Sequence, residues 1–553
     1  MKSLPILREE IERGRFERQQ IDDSRTTIPT ERAEALAAEL RTKIQGEVRF
    51  DTGSRALYAT DGSNYRQTPI GVVIPRSLED VVQTVAAAHR FGAPILSRGG
   101  GTSLGGQCCN VAVVMDFSKY LHQMLHIDTE RKVGIVQPGC VLDDLRHAAE
   151  GYGLNFGPDP STHNHCTLGG MLGNDSCGAH SLLSAKHGRG LRTADNTHEL
   201  DVLTYDGLRL RVGATSPDEL EAIIGSGGPR GALYGKLKAF RDKYADEIRR
   251  RVPKLPRRVS GYNLEFLLPE NDFHLARALV GSEGTLVTIL EATMNLVPNP
   301  GARSMVVMGY PDVYKACDHL MEILEFHPTA LEGFDHLLFK YIKAKGDKNA
   351  DLALLPEGKG FLIVEFGGDD KDDADDQARR CMAALKRHGN APNMELLDDP
   401  EREQMIWKVR EGGLGSTAWV PGMADAWPGW EDSAVPPDKV AEYLPALRKL
   451  FDKYDYNPSL YGHFGQGCIH CRVGFDLYTA SGIENFKSFM DEAADLVVSF
   501  GGSLSGEHGD GQARGEYLPK MFGETLYQAF REFKAIWDPH GKMNPGKKID
   551  AYG

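Results

Sequence analysis

Two segments far apart in the chain carry the side chains best suited to chemistry: Tyr461-Gly462-His463-Phe464-Gly465-Gln466-Gly467-Cys468-Ile469-His470-Cys471 and Ser505-Gly506-Glu507-His508-Gly509-Asp510-Gly511. His463 and His470 stand seven apart, and Gly465 and Gly467 disfavour a helix between them. In one straight strand an odd offset sends side chains to opposite faces. A glycine turn between two short strands brings the imidazoles together instead. With Glu507 they form two imidazoles and one carboxylate, the three-ligand set of a catalytic zinc-like metal. A divalent cation of the zinc or manganese type there lowers the pKa of a substrate hydroxyl. His508, beside a ligand and free to titrate, is the candidate proton acceptor.

Other readings compete. Each histidine alone fits a satisfied buried turn. Cys468 and Cys471 with His463 and His470 would fit a structural zinc site, although no second pair at the usual spacing follows. Cys468-x-x-Cys471 as a redox pair lacks the usual helix N-terminus. Arg410, in the helical stretch EREQMIWKVREGG, is the candidate for binding a substrate carboxylate through its planar fork, with an exposed helix charge as the alternative.

A second set of signals is rich in glycine. Arg98-Gly99-Gly100-Gly101-Thr102-Ser103 follows a strand-like PIL at 94–96, and consecutive glycines let the backbone approach a ligand. The register is neither that of the Rossmann fingerprint nor that of a Walker A loop. Pro158 to Thr162, Thr167 to Met171, Asn174 to Gly178 and Gly281 to Thr285 repeat the theme of small residues and hydroxyls. Together they could line a long polar ligand such as FAD.

These residues must be carried by alternating strands and helices. VVIP at 72–75 reads as a strand and Ser77 as the cap of LEDVVQTVAAAHRFG. The alternation runs to a strand-like segment at Gly284–Leu290. SMVVMGY (304–310) and GFLIVEF (360–366) read as buried strands with the helix KACDHLMEILEFH (315–327) between them. Asp399-Pro400 opens another helix, closed at Gly412-Gly413. Thr30 before ERAEALAAELRTKI reads as a helix cap.

RGGGTSLGGQ, PDPSTHNHCTLGGMLGNDSCG and GSEGTL, in this order, resemble the flavin-contacting segments of the vanillyl-alcohol-oxidase (PCMH) type of FAD protein. The resemblance runs from Tyr58 to Lys548, and it is nearest to the D-lactate, glycolate and D-2-hydroxyglutarate dehydrogenases. It implies an α+β fold: a two-subdomain PCMH-type FAD-binding domain with an α/β ferredoxin-like cap. The implied bounds are an N-terminal helical segment at 1–65, the FAD domain at 66–297, a cap and metal domain at 298–520, and a return at 521–553. It also implies that Arg98, Gly99, Gly100, Gly101, Thr102 and Ser103 cradle the pyrophosphate. Pro160, Ser161, Thr167, Gly169, Gly170, Asn174, Ser176 and Gly178 run beside the flavin. Ser282, Glu283 and Thr285 complete the site, with Asn544 returning from the tail.

In these relatives the counterparts of His463, His470 and Glu507 are metal ligands and that of His508 is the base. The chain departs from H-x-G-D-G-N-x-H at Gln466 and Cys468, and an expected lysine is Trp430, which leaves the hydroxy acid open. Residues 98–107 contain no histidine, so FAD is expected to be non-covalent, with His163, His165 and His180 as formal candidates for attachment. The implied reaction is oxidation of a small D-2-hydroxy acid to the 2-oxo acid. The alternatives are a non-redox alkyl transferase of the alkyl-glycerone-phosphate synthase type and a non-catalytic flavin subunit.

Composition narrows the classes further. A net charge of -14 without a basic tract argues against nucleic-acid binding. Nine scattered cysteines are no disulfide framework and fit reduced thiols in a cytoplasm. The first residues are too charged for a signal peptide, and no apolar run reaches the ~18 residues of a membrane span. No cysteine run of the ferredoxin type occurs. Electrons are therefore expected to leave to a separate protein or to the iron–sulfur module of a longer form, with peripheral membrane contact only through that acceptor. A homodimer stays open.

Overall fold

The computed structural model describes residues 28–346, 355–397 and 399–552. The first 27 residues of the expected N-terminal segment lie outside the described residues. Three sheets organise the rest.

The first contains β1 (Glu47–Arg49), β2 (Gly71–Ile74), β3 (Ile95–Arg98) and β4 (Val113–Asp116) in the order β1-β2-β4-β3. β2, β4 and β3 are parallel, and β2 and β4 are buried at every position, as continuous apolar runs require. The crossover helix Leu78–Phe91 begins as expected: Ser77 Oγ accepts from the Asp80 amide at 3.2 Å. β3 then delivers the chain into the Arg98–Ser103 loop.

The second sheet contains β5 (Met124–Asp128), β6 (Val133–Val136), β8 (Thr197–Leu203), β9 (Arg209–Val212) and β10 (Thr288–Asn295), in the order β5-β6-β10-β8-β9. The short strand β7 (Leu154–Asn155) pairs with β11 (Val297–Pro298) beside it. The helix Gly228–Arg251 packs on Leu518–Trp537, with the Phe240 and Phe533 rings 5.6 Å apart. Each such buried ring contributes about 1.5–3 kcal/mol.

The third sheet is antiparallel. It orders β15 (Asn393–Leu397), β12 (Ala302–Tyr310), β14 (Gly360–Gly368), β13 (Ala330–Asp335), β17 (Leu460–His463), β18 (Cys468–Cys471) and β16 (Asp432–Ala434). The tail after Trp537 returns to the first sheet, where the Asn544 amide donates to Ile95 O at 2.8 Å.

Several local readings are corrected. Thr30 is the first residue of its helix; Pro29 stands at the cap and no side chain caps it. The strand read at Gly284–Leu290 starts at Thr288, because Glu283 and Gly284 hold positive φ (55° and 70°) in a turn. The helix read over 315–327 is broken into Val313–Ala316, a 3₁₀ turn at Cys317–His319, and Leu320–Leu324. The buried His319 reaches Tyr310 Oη at 3.3 Å, and the tighter turn serves that contact. The helix opened by Asp399 runs over Pro400–Glu411 as read.

Candidate functional site

Three contiguous cavities join the first two sheets to the third. The first lies between the Arg98–Ser103 loop, the helix Leu168–Asn174 and the Ser282–Gly284 turn. A second shares Gly99, Ser103 and Asn174 with it and reaches Glu507 and His508. A third shares Ser161, Glu507 and His508 and is closed by Trp407, Arg410 and Tyr461. The glycines are required by close packing: a Cβ on Gly99 would stand 2.0 Å from Thr167 Oγ1, and one on Gly100 2.5 Å from His165 O.

The histidines meet at the far end of this run. β17 and β18 form the expected hairpin, with His463 opposite Cys468 and Gly467 turning the chain at φ 78°. His463 Nε2 lies 3.2 Å, His470 Nε2 2.9 Å and His508 Nε2 3.6 Å from one atom, Glu507 Oε1. Each opposite ring nitrogen is held: His463 by Glu332 Oε1 (2.8 Å), His470 by the Glu431 carbonyl (3.0 Å) and His508 by Glu431 Oε1 (3.0 Å). Asp432, His470, Glu507 and His508 each bring a ligand atom within 4.8 Å of the others.

This geometry fits a divalent cation. A carbonyl can only accept, so His470 Nδ1 donates to Glu431 O. A neutral ring then turns its Nε2 lone pair towards a carboxylate oxygen, two acceptors that need a positive charge between them. Outer partners that fix the tautomer in this way are what imidazole ligands require. A second group, His89, Asp206 and His540, is exposed and has the contacts of surface ion pairs.

The first half of the Ser505–Gly511 loop is held by one buried carboxylate. Asp432 Oδ2 accepts from the Glu507 amide (3.0 Å), the His508 amide (2.7 Å) and Ser505 Oγ (2.5 Å). Arg257 Nη1 donates to Glu507 Oε2 at 2.8 Å. Arg514 pairs with Glu431. Burial opposes ionisation of Glu507, but His463 and Arg257 outweigh it and hold its pKa well below the usual range. Burial likewise opposes the His508 imidazolium, yet Asp432, Glu431 and Glu507 lift it to about 10. His508 is thus not the freely titrating imidazole expected from sequence. Its ring is fixed by Glu431 and keeps its proton among these carboxylates alone.

Arg410 lies in the same cavity as the three histidines, buried and ion-paired with Glu332, and its Nε has no hydrogen-bond partner. Its guanidinium lies 5.4 Å from the centre of the Tyr461 ring. The exposed-charge reading of Arg410 therefore fails. The thiols contradict a two-cysteine zinc site: Cys468 donates to Asp432 Oδ1 (3.2 Å), while Cys471, of opposite strand parity, donates to the Trp430 carbonyl (2.8 Å). All nine cysteines are free.

Arg98, Gly99, Gly100, Gly101, Thr102 and Ser103 line the first two cavities. Pro160, Ser161 and Ser176 line the second, Gly169 and Ser282 the first, and Thr167, Gly170 and Asn174 both. Four residues expected at the flavin also make bonds within the protein. Gly178 accepts from Arg257 and supports the wall from behind. Thr285 spends its hydroxyl on Ser282 O (2.6 Å) and Tyr262 (2.7 Å). Asn544 staples Gln107 O and Glu283 O together. Glu283 reaches the first cavity, but its carboxylate accepts from the Asp510 and Gly511 amides, each at 2.8 Å, and pairs with Lys548. His163 is bound to Asp143 and His180 to Asp159, while His165 turns to the Asn164 carbonyl.

Sequence reasoning missed Arg257, Glu332, Glu431, Asp432 and Arg514. A usable signal existed for some: Glu332 interrupts an apolar strand, and Arg257 and Arg258 stand together, both fully buried.

The comparisons agree with this architecture. The family described as FAD binding domain matches residues 69–213, and FAD linked oxidases, C-terminal domain, matches residues 299–548. The D-2-hydroxyglutarate dehydrogenase of Pantoea ananatis is 31% identical over 525 residues, 91% of this chain and 50% of that protein. The glycolate oxidase subunit GlcD of Bacillus subtilis is 27% identical over 91% of this chain and 95% of its own length. The structure of p-cresol methylhydroxylase with substrate bound superposes with a TM-score of 0.66 at 11% identity, covering 94% of this chain and 97% of that one; this likeness speaks to fold alone. The chain spans about half the length of the D-2-hydroxyglutarate dehydrogenases it matches.

Proposed function

We propose, since the chain belongs to the FAD-linked oxidases with a PCMH-type fold, that it oxidises a small D-2-hydroxy acid to the 2-oxo acid. One observation carries the reading: three imidazole Nε2 atoms and a carboxylate converge at the end of the cavities that the glycine loops line. Bound FAD supplies the two-electron acceptor, and a divalent cation held by His463, His470 and Glu507 supplies Lewis acidity at the substrate hydroxyl.

The chain's own residues do the rest. Arg410 orients the substrate carboxylate, with Glu332 fixing its guanidinium. With a divalent cation on Glu507 offsetting the carboxylates that otherwise keep its ring protonated, His508 Nε2 would take the hydroxyl proton, and Glu431 holds the ring in place from Nδ1. Arg257 keeps Glu507 ionised and aimed at the histidines. The buried walls exclude water, which strengthens each of these interactions. FAD is held without a covalent bond. Electrons pass on to a separate protein or an iron–sulfur module. No helix among the described residues is long and apolar enough to cross a membrane.

The test is anaerobic mixing of the FAD-loaded protein with D-lactate, glycolate and D-2-hydroxyglutarate. Bleaching of the flavin spectrum is expected, together with stoichiometric divalent metal that His463→Ala and His470→Ala both abolish. Absence of bleaching with every hydroxy acid, or turnover and metal retained in both variants, overturns the reading. Acid should release intact FAD; flavin fluorescence staying with the denatured chain refutes non-covalent attachment.

A further inference from the structure

The third cavity separates two kinds of 2-hydroxy acid by charge. Among the described residues lining it, the only lysine or arginine is Arg410. Glu332 already occupies one side of that guanidinium, so it can meet one substrate carboxylate, and among the described residues no second guanidinium or ammonium lines the cavity.

The remaining wall is aromatic, small or acidic: Trp407, Tyr461, Ala179 and Asp159. Beside Asp159 stands a further cationic ring, His180, and it is engaged. Its Nδ1 donates to Asp159 Oδ2 at 2.5 Å, its Nε2 faces Glu365 Oε2 at 3.5 Å, and Trp407 covers its ring at 4.8 Å. A carboxylate at the far end of a substrate would lose its water, meet no unshared donor of positive charge, and approach Asp159. Like charges in a desolvated site are strongly disfavoured. An uncharged side chain meets a stack of rings instead.

We propose that this chain acts on D-2-hydroxy monocarboxylates with an uncharged side chain and rejects the dicarboxylate D-2-hydroxyglutarate, with Asp159 and Trp407 setting the choice. This rests on the reading that the third cavity holds the hydroxy acid. It departs from the substrate named for the D-2-hydroxyglutarate dehydrogenases that the chain resembles.

The test compares anaerobic flavin reduction of the FAD-loaded chain by D-lactate, D-phenyllactate and D-2-hydroxyglutarate. A kcat/KM for both monocarboxylates roughly 100-fold above that for the dicarboxylate is expected. Equal or faster reduction by D-2-hydroxyglutarate overturns the proposal. Asp159→Asn should raise kcat/KM for D-2-hydroxyglutarate about tenfold relative to D-lactate by removing the facing charge. Trp407→Ala should raise KM for D-phenyllactate more than for D-lactate, with kcat less affected. No change in the ratios in either variant counts against the assignment.

If none of the three acids bleaches the flavin, the proposed oxidation fails, but the charge argument is still decided by calorimetric binding of the 2-oxo acids. Phenylpyruvate and pyruvate binding more tightly than 2-oxoglutarate supports it, and the reverse order overturns it.

Discussion

Replacing His180 with glutamine removes the charge that joins the flavin-binding part to the third sheet. In the native chain His180 sits between Asp159 and Glu365, and burial alone would disfavour its charged form. The two carboxylates outweigh burial and lift the pKa from 6.5 to about 10. At about 1.4 kcal/mol per unit, that rise caps the contribution of the charged clamp at about 5 kcal/mol. The folded-state pKa is the higher one, so the contribution is complete below pH 6.5 and is lost as pH rises through about 10. On the acid side Glu365, lowered from 4.5 to about 2 despite burial, loses its contribution as pH falls through that interval. The clamp is therefore strongest between 4.5 and 6.5. Arg303, 3.3 Å from Glu365, and Arg146, which lowers Asp159, keep their charge throughout.

The assay is urea unfolding of wild type and His180→Gln at several pH values. The wild type should be more stable by about 3–5 kcal/mol near pH 6, and by less than about 1 kcal/mol near pH 10. A difference that is constant with pH, or that grows with it, refutes the charged clamp.

Three further outcomes are expected. Arg257→Lys keeps the charge but loses the fork that reaches Glu507, Gln466 and Gly178; kcat/KM should fall roughly 10–100-fold with FAD content unchanged, and an unaltered rate would contradict the role. Lys548→Met strips the counter-charge from buried Asp510 (2.7 Å) and Glu283 (3.3 Å), and chemical unfolding should show a loss of about 3–5 kcal/mol; less than about 1 kcal/mol would show that the pair is dispensable. Gly100→Ala puts a Cβ 2.5 Å from the His165 carbonyl, so gel filtration should yield protein with reduced flavin content, whereas full retention would refute the tight cradle.

What sequence disclosed follows from the range of the forces involved. Ser77 and Asp399 were legible as caps because a cap acts within three residues. The hairpin that joins His463 to His470 was legible because glycine confines the local choices. Glu332, Glu431 and Asp432 were not. Their neighbours in sequence are ordinary, and their roles arise from strands that pair only in the fold. The same holds for Glu283, whose side chain binds amides more than two hundred residues away rather than lining a flavin wall alone. The break at Cys317–His319 escaped periodicity because the apolar spacing continues through it while the buried His319 contact tightens the turn.

The four strands β13, β17, β18 and β16 lie side by side, and Glu332, His463, His470 and Asp432 sit one on each. His463 stands opposite Cys468 and His470 opposite Asp432, so these groups share one face on neighbouring rungs, fixed by how far each strand has slid past the next. Losing one residue from the Phe464–Gly467 turn would rotate an imidazole to the reverse side of its ribbon, and Gly467, at φ 78° and with Val435 O 1.8 Å from where a Cβ would stand, admits no side chain. The length of the loop and the glycine at its end are what this arrangement has to hold constant.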